Sequence, residues 1–169
     1  RGGGSRLSYV IQAWPEGTTP PEPVNVLRSP ITEAAPKRDA DGGHRTYSQK
    51  HDAQCAEVLA KKPELVFIGD SITSRLPAPM LEKYYGKYRP VNLGIGGDWI
   101  QNVLWRLENC PLDKAPVKVA VLLIGTNNLS NRFKTDEVVK GIGRVVEKIH
   151  EKAPQAKVLV LGIFPRGRT

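Results

Sequence analysis

The chain has 169 residues, 40% of them hydrophobic and 25% charged, a composition typical of one folded domain with a real core. Its formal net charge of +8 does not indicate nucleic-acid binding, because the basic residues are scattered and no basic stripe carries interleaved aromatic residues. No apolar run is long enough to span a bilayer, and a chain that begins at Arg1 rather than at methionine suggests processing or excerpting.

The first 43 residues predict an arm or linker. They hold six of the fourteen prolines and show little sustained periodicity. From residue 44 the pattern becomes regular, so we predict one domain over residues 44–169.

Apolar runs then alternate with amphipathic stretches. We predict helices over 48–61 and 79–87, a helix that Asp98 caps, and a helix that Thr135 caps and that ends before Pro154. The predicted strands are 65–68, 91–93, 117–124 and 157–164. Strands that are apolar almost throughout and alternate with such helices indicate a parallel sheet covered on both faces, an α/β/α sandwich of three layers.

Polar, glycine-rich turns follow the first three predicted strands. Ser71 follows the first, Gly97 the second and Asn127 the third. Right-handed crossovers bring these turns to one edge of the sheet, where such folds bind ligands. A serine hydroxyl can attack an ester carbonyl, and the backbone N–H groups of Ser71 and Gly97 with the Asn127 amide can stabilise the resulting oxyanion.

Each of these residues also has a simpler interpretation. Ser71 could cap the helix that follows it, and Asn127 could be a turn residue in a left-handed conformation. Gly96 and Gly97 could form a tight turn or, without the usual phosphate-loop pattern, a phosphate cradle. Asp70 and Asp98 are each expected to organise a turn and cap a helix rather than act as an acid.

The blocks resemble the SGNH, or GDSL-type, serine esterases and acylhydrolases over roughly residues 44–166. Gly69-Asp70-Ser71 resembles the nucleophile block, Gly97 the glycine block and Asn127 the asparagine block. Residues 94–107 and 160–167 are similar to the branch with the catalytic subunits of platelet-activating-factor acetylhydrolase and its bacterial relatives. The resemblance implies a flavodoxin-like sheet.

The chain departs from that family at its end. The family's Asp-x-x-His block, which supplies the general base and the residue that orients it, lies after the strand that ends near Phe164, and the sequence does not contain it there. The last strand and helix are also expected to be missing, which would expose apolar surface at one flank of the sheet. Asp41 and His44 have the right spacing, but they precede the nucleophile and are interpreted as an accidental match, with a substitute base as the alternative.

The remaining histidines and the cysteines predict structural roles. We expect His51 to pack on its helix and His150 to lie at a helix C-terminus. Cys55 and Cys110 are predicted to be unpaired, buried thiols, with a disulfide as the alternative. Asp, Glu and His residues show no metal-ligand clustering, so neither a metal nor a cofactor is expected.

The sequence therefore predicts a serine esterase that removes a short acyl group, with acetyl favoured, through an acyl-enzyme on Ser71. Its substrate would be an acetylated carbohydrate or lipid. The alternatives are a non-catalytic relative that binds a ligand or carbohydrate, or an inactive fragment of a longer esterase. A homodimer is left open, as are an exported and a cytoplasmic location.

Overall fold

Helices and strands alternate along the chain in the predicted order. The computed structural model describes residues 30–37 and 47–165. Its elements are α1 (Tyr47–Lys61), β1 (Leu65–Gly69), α2 (Ser71–Ser74), α3 (Ala78–Tyr85), β2 (Val91–Gly94), α4 (Ile100–Glu108), β3 (Val119–Leu123), α5 (Thr126–Ser130), α6 (Thr135–Lys152) and β4 (Lys157–Val160). In the described ranges, no helix combines the length and the apolar character that crossing a membrane requires.

The four strands form one parallel sheet in the order β2-β1-β3-β4, which confirms the predicted α/β class. Phe67 on β1 lies opposite Asn92 on β2 and Val121 on β3. All five residues of β1 are buried, as expected for a central strand. The strand order changes direction at β1, and ligands bind in such sheets beyond the carboxyl ends of the strands at that point.

Helices pack against both faces of the sheet. On one face, α1, α4 and α6 cover alternate strand residues, among them Val66, Ile68, Ala120 and Leu122. On the other face, Leu81 of α3 packs against Leu65 and Phe67. The side chains alternate between the faces because the side-chain repeat of a strand is two residues. This arrangement confirms the three-layer sandwich.

One part of the second face is open to solvent. A groove of about 570 Å³ is bordered there by Phe67, Tyr85 and Val121, among others. Leu159 is 54% exposed and Phe164 is 56% exposed. The exposed apolar flank that the sequence predicts is therefore present among the described residues.

Several predicted boundaries differ from the structure: β3 spans Val119–Leu123 rather than 117–124, α3 spans Ala78–Tyr85 rather than 79–87, and three further differences have a clear physical reason. Helix α4 begins at Ile100 and its N-cap is Trp99, because the Asp98 carboxylate binds Arg106 instead of capping the helix. Helix α6 has Lys134 rather than Thr135 as N-cap, and the Lys134 N–H donates to Glu137 Oε2 over 2.8 Å. Strand β4 ends at Val160, because β3 ends at Leu123 and its pairing with β4 stops at the Leu122–Val160 pair.

Gly94 lets β2 approach helix α2 closely. A Cβ atom at Gly94 would lie 2.4 Å from the backbone nitrogen of Ser74. We expect Gly94→Ala to lower the free energy of unfolding by about 1–3 kcal/mol, because α2 must shift to make room. The matched control is Gly143→Ala on α6, where nothing lies within 4 Å of the added methyl group. The control should gain up to about 1 kcal/mol from helix propensity, and urea denaturation measures both changes.

Candidate active site

Ser71 is the first residue of α2 and stands directly beyond the carboxyl end of β1. The short helix is capped by the buried Asp70, whose Oδ1 accepts a hydrogen bond from the Ile72 N–H over 2.9 Å. The N-cap of α2 is therefore Asp70, and the simpler interpretation of Ser71 as a helix cap is wrong. The Ser71 side chain is partly exposed, and no described residue hydrogen-bonds to its hydroxyl.

The glycine turn after β2 lies beside Ser71. A Cβ atom at Gly96 would stand 3.9 Å from the Ser71 Cβ. The Ile95 N–H donates to the Gly69 carbonyl over 3.2 Å, which joins the turn to the end of β1. Gly97 has a φ of +74°, a left-handed backbone conformation that residues other than glycine adopt only with strain.

Asn127 lies in α5, the short helix after β3 that the sequence pattern did not predict. Its Nδ2 donates to the Asp98 carbonyl over 2.8 Å, which ties α5 to the glycine turn. An amide nitrogen carries two hydrogens, so one remains for a ligand. The next residue, Asn128, is buried and structural, because its Oδ1 accepts from the Ile100 N–H and its Nδ2 donates to Gln101.

The structure thus brings the three predicted residues to one edge of the sheet. Gly96 of the turn after β2 lies close to Ser71, and the Asp98 carbonyl of the same turn accepts a hydrogen bond from Asn127. A serine hydroxyl, a glycine turn and a side-chain amide at one place suit attack on a carbonyl carbon and binding of the oxyanion.

Arg106 is the residue of this region that the sequence analysis missed. It is 4% exposed, and its Nε lies 2.7 Å from Oδ2 of the fully buried Asp98. Its two terminal nitrogens donate to the carbonyls of Leu93 and Gly69. One guanidinium therefore holds the ends of β1 and β2 and the turn that carries Gly97. The sequence did contain a sign of its buried position: Arg106 is a charged residue between Val103 and Leu107 on the apolar face of α4.

Burial raises the pKa of Asp98 to about 6, and the positive charges of Arg106 and Lys37 oppose part of that rise. Its Oδ1 is a buried oxygen with no hydrogen-bond partner among the described residues. Asp98 thus depends on Arg106 for compensation of its charge, since an unpaired buried charge is costly.

Neither described histidine hydrogen-bonds to Ser71. His51 is 4% exposed and its ring centre lies 5.0 Å from that of Trp105, in agreement with the predicted packing role. His150 lies in the last turn of α6, with Nε2 3.2 Å from the Ala156 carbonyl oxygen. Asp41 and His44 lie outside the described residues.

The two cysteines are free thiols, as the sequence predicts, but only Cys110 is buried and Cys55 is partly exposed. Cys55 Sγ lies 3.6 Å from His51 Nε2. Hydrogen bonds from Cys110 and from His51 lower the pKa of Cys55 to about 5, and the bond to Cys55 raises the pKa of the buried Cys110. Cys55 lies on α1, and Cys110 follows the C-terminal end of α4.

Comparison with known proteins supports the resemblance seen in the motifs. Residues 67–169 match the sequence model of the GDSL-like lipase/acylhydrolase family. The platelet-activating factor acetylhydrolase IB subunit alpha1 of Homo sapiens is 38% identical over 141 residues, which are 83% of this chain and 60% of that protein. Subunit alpha2 of Homo sapiens is 38% identical over 130 residues, 76% of this chain and 56% of that protein. The chain therefore spans about three fifths of the length of these relatives.

Solved structures agree on the fold. A Streptococcus pneumonia structure described as a platelet activating factor superposes with a TM-score of 0.55 at 23% identity, over 70% of this chain and 56% of the other. The structure of TesA superposes with a TM-score of 0.50 at 27% identity, over 59% of each chain. The family match covers more than half of the chain, and both superpositions support the α/β fold. The chain belongs to the GDSL-like lipase/acylhydrolase family.

Proposed function

We propose that this protein is a serine esterase that removes a short acyl group from an oxygen ester through an acyl-enzyme. The observation that carries the proposal is the convergence of Ser71, Gly97 and Asn127 at the carboxyl edge of the sheet. Family membership supports ester hydrolysis. The names of the acetylhydrolase relatives favour acetyl as the acyl group and a lipid or carbohydrate as its carrier. We assign this activity to the domain predicted over residues 44–169.

The proposed reaction has two halves. Ser71 Oγ attacks the ester carbonyl carbon while a base takes the serine proton, and the carbonyl oxygen becomes an oxyanion. The N–H groups of Ser71 and Gly97 and the Asn127 amide stabilise that oxyanion, and the alcohol leaves with a proton. Water then attacks the acyl-serine and releases the acid. Because neither described histidine contacts Ser71, the proposal assigns the base to no described residue.

The direct test is incubation of the 169-residue chain with p-nitrophenyl acetate. We expect release of p-nitrophenolate and an acetyl group on the peptide that contains Ser71, detected by intact-mass and peptide mass spectrometry. A chain that is folded by circular dichroism yet shows neither turnover nor an acetylated Ser71 would contradict the proposal. That result would favour the non-catalytic alternative.

Asn127 tests the oxyanion part of the mechanism. We expect Asn127→Ala to lower turnover by about 10²–10³-fold, the usual effect of removing one oxyanion donor. Acetylation of Ser71 should still be detectable, because the nucleophile is retained. The control is Asn109→Ala at the exposed end of α4, where the amide donates to the Trp105 carbonyl. Equal turnover by the Asn127 and Asn109 variants would remove Asn127 from the mechanism.

A further inference from the structure

Residues 30–37, which precede α1, are fixed against the domain. The Ala35 N–H donates to the Gln101 carbonyl over 3.0 Å, and Asn102 Nδ2 donates to the Ala35 carbonyl over 3.0 Å. Ile31 is buried near Gly141 of α6, where a Cβ atom would lie 2.9 Å from Ile31 Cγ1. Two hydrogen bonds from the Ala35 backbone to α4 and the packing of Ile31 against α6 therefore fix the position of the residues just after Ala35.

Lys37 comes two residues after Ala35 and reaches the glycine turn. Its Nζ donates to the Gly96 carbonyl over 2.6 Å. A Cβ atom at Gly97 would lie 2.8 Å from the same nitrogen, so the ammonium group lies directly against the residue proposed to bind the oxyanion. The nitrogen also stands 5.8 Å from the centre of the Tyr47 ring, within the range of a cation–π contact.

Within the ranges 30–37 and 47–165, Lys37 forms no direct ion pair, although its charge acts on the buried Asp98 carboxylate, which is already paired with Arg106. No carboxylate there lies within 4.0 Å of its Nζ. Lys61, Lys118 and Lys148 each have a carboxylate oxygen within 3.2 Å. An ammonium group has three hydrogens, and the bond to Gly96 uses one. Two hydrogens of the Lys37 ammonium group and its positive charge can therefore interact with a ligand.

From this placement we propose that Lys37 is a substrate-binding residue that selects esters carrying an anionic group, a carboxylate or a phosphate, close to the reacting carbonyl. The inference rests on the proposed esterase function. Gly96, the hydrogen-bond partner of Lys37, is also the glycine next to Ser71, so an anionic substituent bound by Lys37 lies near the nucleophile. A charged hydrogen bond in a partly desolvated position is stronger than a neutral one.

The test compares three acetyl esters of similar shape: meta-acetoxybenzoate, meta-acetoxyphenyl phosphate and the neutral meta-acetoxybenzamide. We expect kcat/KM for an anionic ester relative to the neutral one to fall about tenfold in Lys37→Gln, mainly through KM. Lys37→Arg should retain the preference, and added salt should weaken it in the wild type. The anionic ester with the higher kcat/KM in the wild type shows whether the site binds a carboxylate or a phosphate.

The control is Lys140→Gln, which removes the same charge from the exposed face of α6. A ratio that is the same in the wild type, Lys37→Gln and Lys140→Gln overturns the inference.

A binding measurement keeps this test separate from that of catalysis. The probes are meta-hydroxybenzoate, phenyl phosphate and meta-hydroxybenzamide, titrated into Ser71→Ala protein and followed through the Gly97 amide signal by NMR. We expect the Kd of the preferred anion to rise about tenfold when Lys37→Gln is added. If the wild type hydrolyses no ester, the esterase proposal fails and this titration alone decides the role of Lys37. An unchanged Kd then overturns the inference.

Discussion

Ser71→Ala is expected to abolish ester hydrolysis, with a loss of about 10⁴-fold or more in kcat, because no covalent intermediate can form without the hydroxyl. The fold should be nearly unaffected. The cap of α2 is Asp70, the Ser71 side chain is partly exposed, and none of the described residues hydrogen-bonds to the serine hydroxyl. We expect the free energy of unfolding to change by less than about 1 kcal/mol.

The matched control is Ser74→Ala, three residues later in the same helix. Ser74 is exposed and its Oγ donates to the Ser71 carbonyl over 3.1 Å, so its loss tests the helix without removing the nucleophile. Initial rates with p-nitrophenyl acetate and urea denaturation should separate the two variants. Equal turnover by the wild type and Ser71→Ala would refute the serine mechanism.

Arg106→Met is expected to cause the largest loss of stability, about 3–5 kcal/mol, because it leaves the buried Asp98 carboxylate without its counter-charge. The carbonyls of Gly69 and Leu93 lose hydrogen-bond donors at the same time. Since both carbonyls belong to strand ends that lead into the candidate site, any remaining ester hydrolysis should fall as well. Chemical denaturation measures the loss of stability, and initial rates measure the loss of ester hydrolysis.

Arg144→Met on α6 is the control for removal of an arginine from a helix. Arg144 pairs with Glu147 and Glu151 at the surface, where such pairs contribute about 0–1 kcal/mol. The double variant Asp98→Asn with Arg106→Met should recover part of the lost stability, because the unpaired charge is gone. A small and equal loss in both single arginine variants would mean that the buried pair contributes little.

The sequence predicts the sheet well because its strands are strongly apolar. All five residues of β1 are buried, and right-handed crossovers then put Ser71, Gly97 and Asn127 at one edge. Helix α5 escaped prediction because its five residues contain a single apolar side chain, Leu129, which is itself exposed. That helix depends on Gly125, whose φ of +116° no periodicity reveals.

The Asp98–Arg106 pair and the Lys37–Gly96 contact escaped the sequence analysis for the same physical reason. Aspartate before an apolar helix is a good N-cap by local chemistry, but an arginine eight residues later offers a buried ion pair and takes the carboxylate. Lys37 belongs to a stretch whose prolines predict an arm, and its contact with Gly96 spans 59 residues. Local patterns carry no information about partners at such separations, so both contacts required the structure.

The Arg106 contacts also determine when the site can take shape during synthesis. The guanidinium binds carbonyls that lie 37 and 13 residues earlier in the chain, at Gly69 and Leu93. β1 also needs β3, which comes after α4, as a neighbour. A nascent chain that has emerged only through Gly94 therefore holds the serine and its strand without the residue that fixes them. A domain folds as a unit, so the reactive geometry can form only after α4 and β3 have been synthesised.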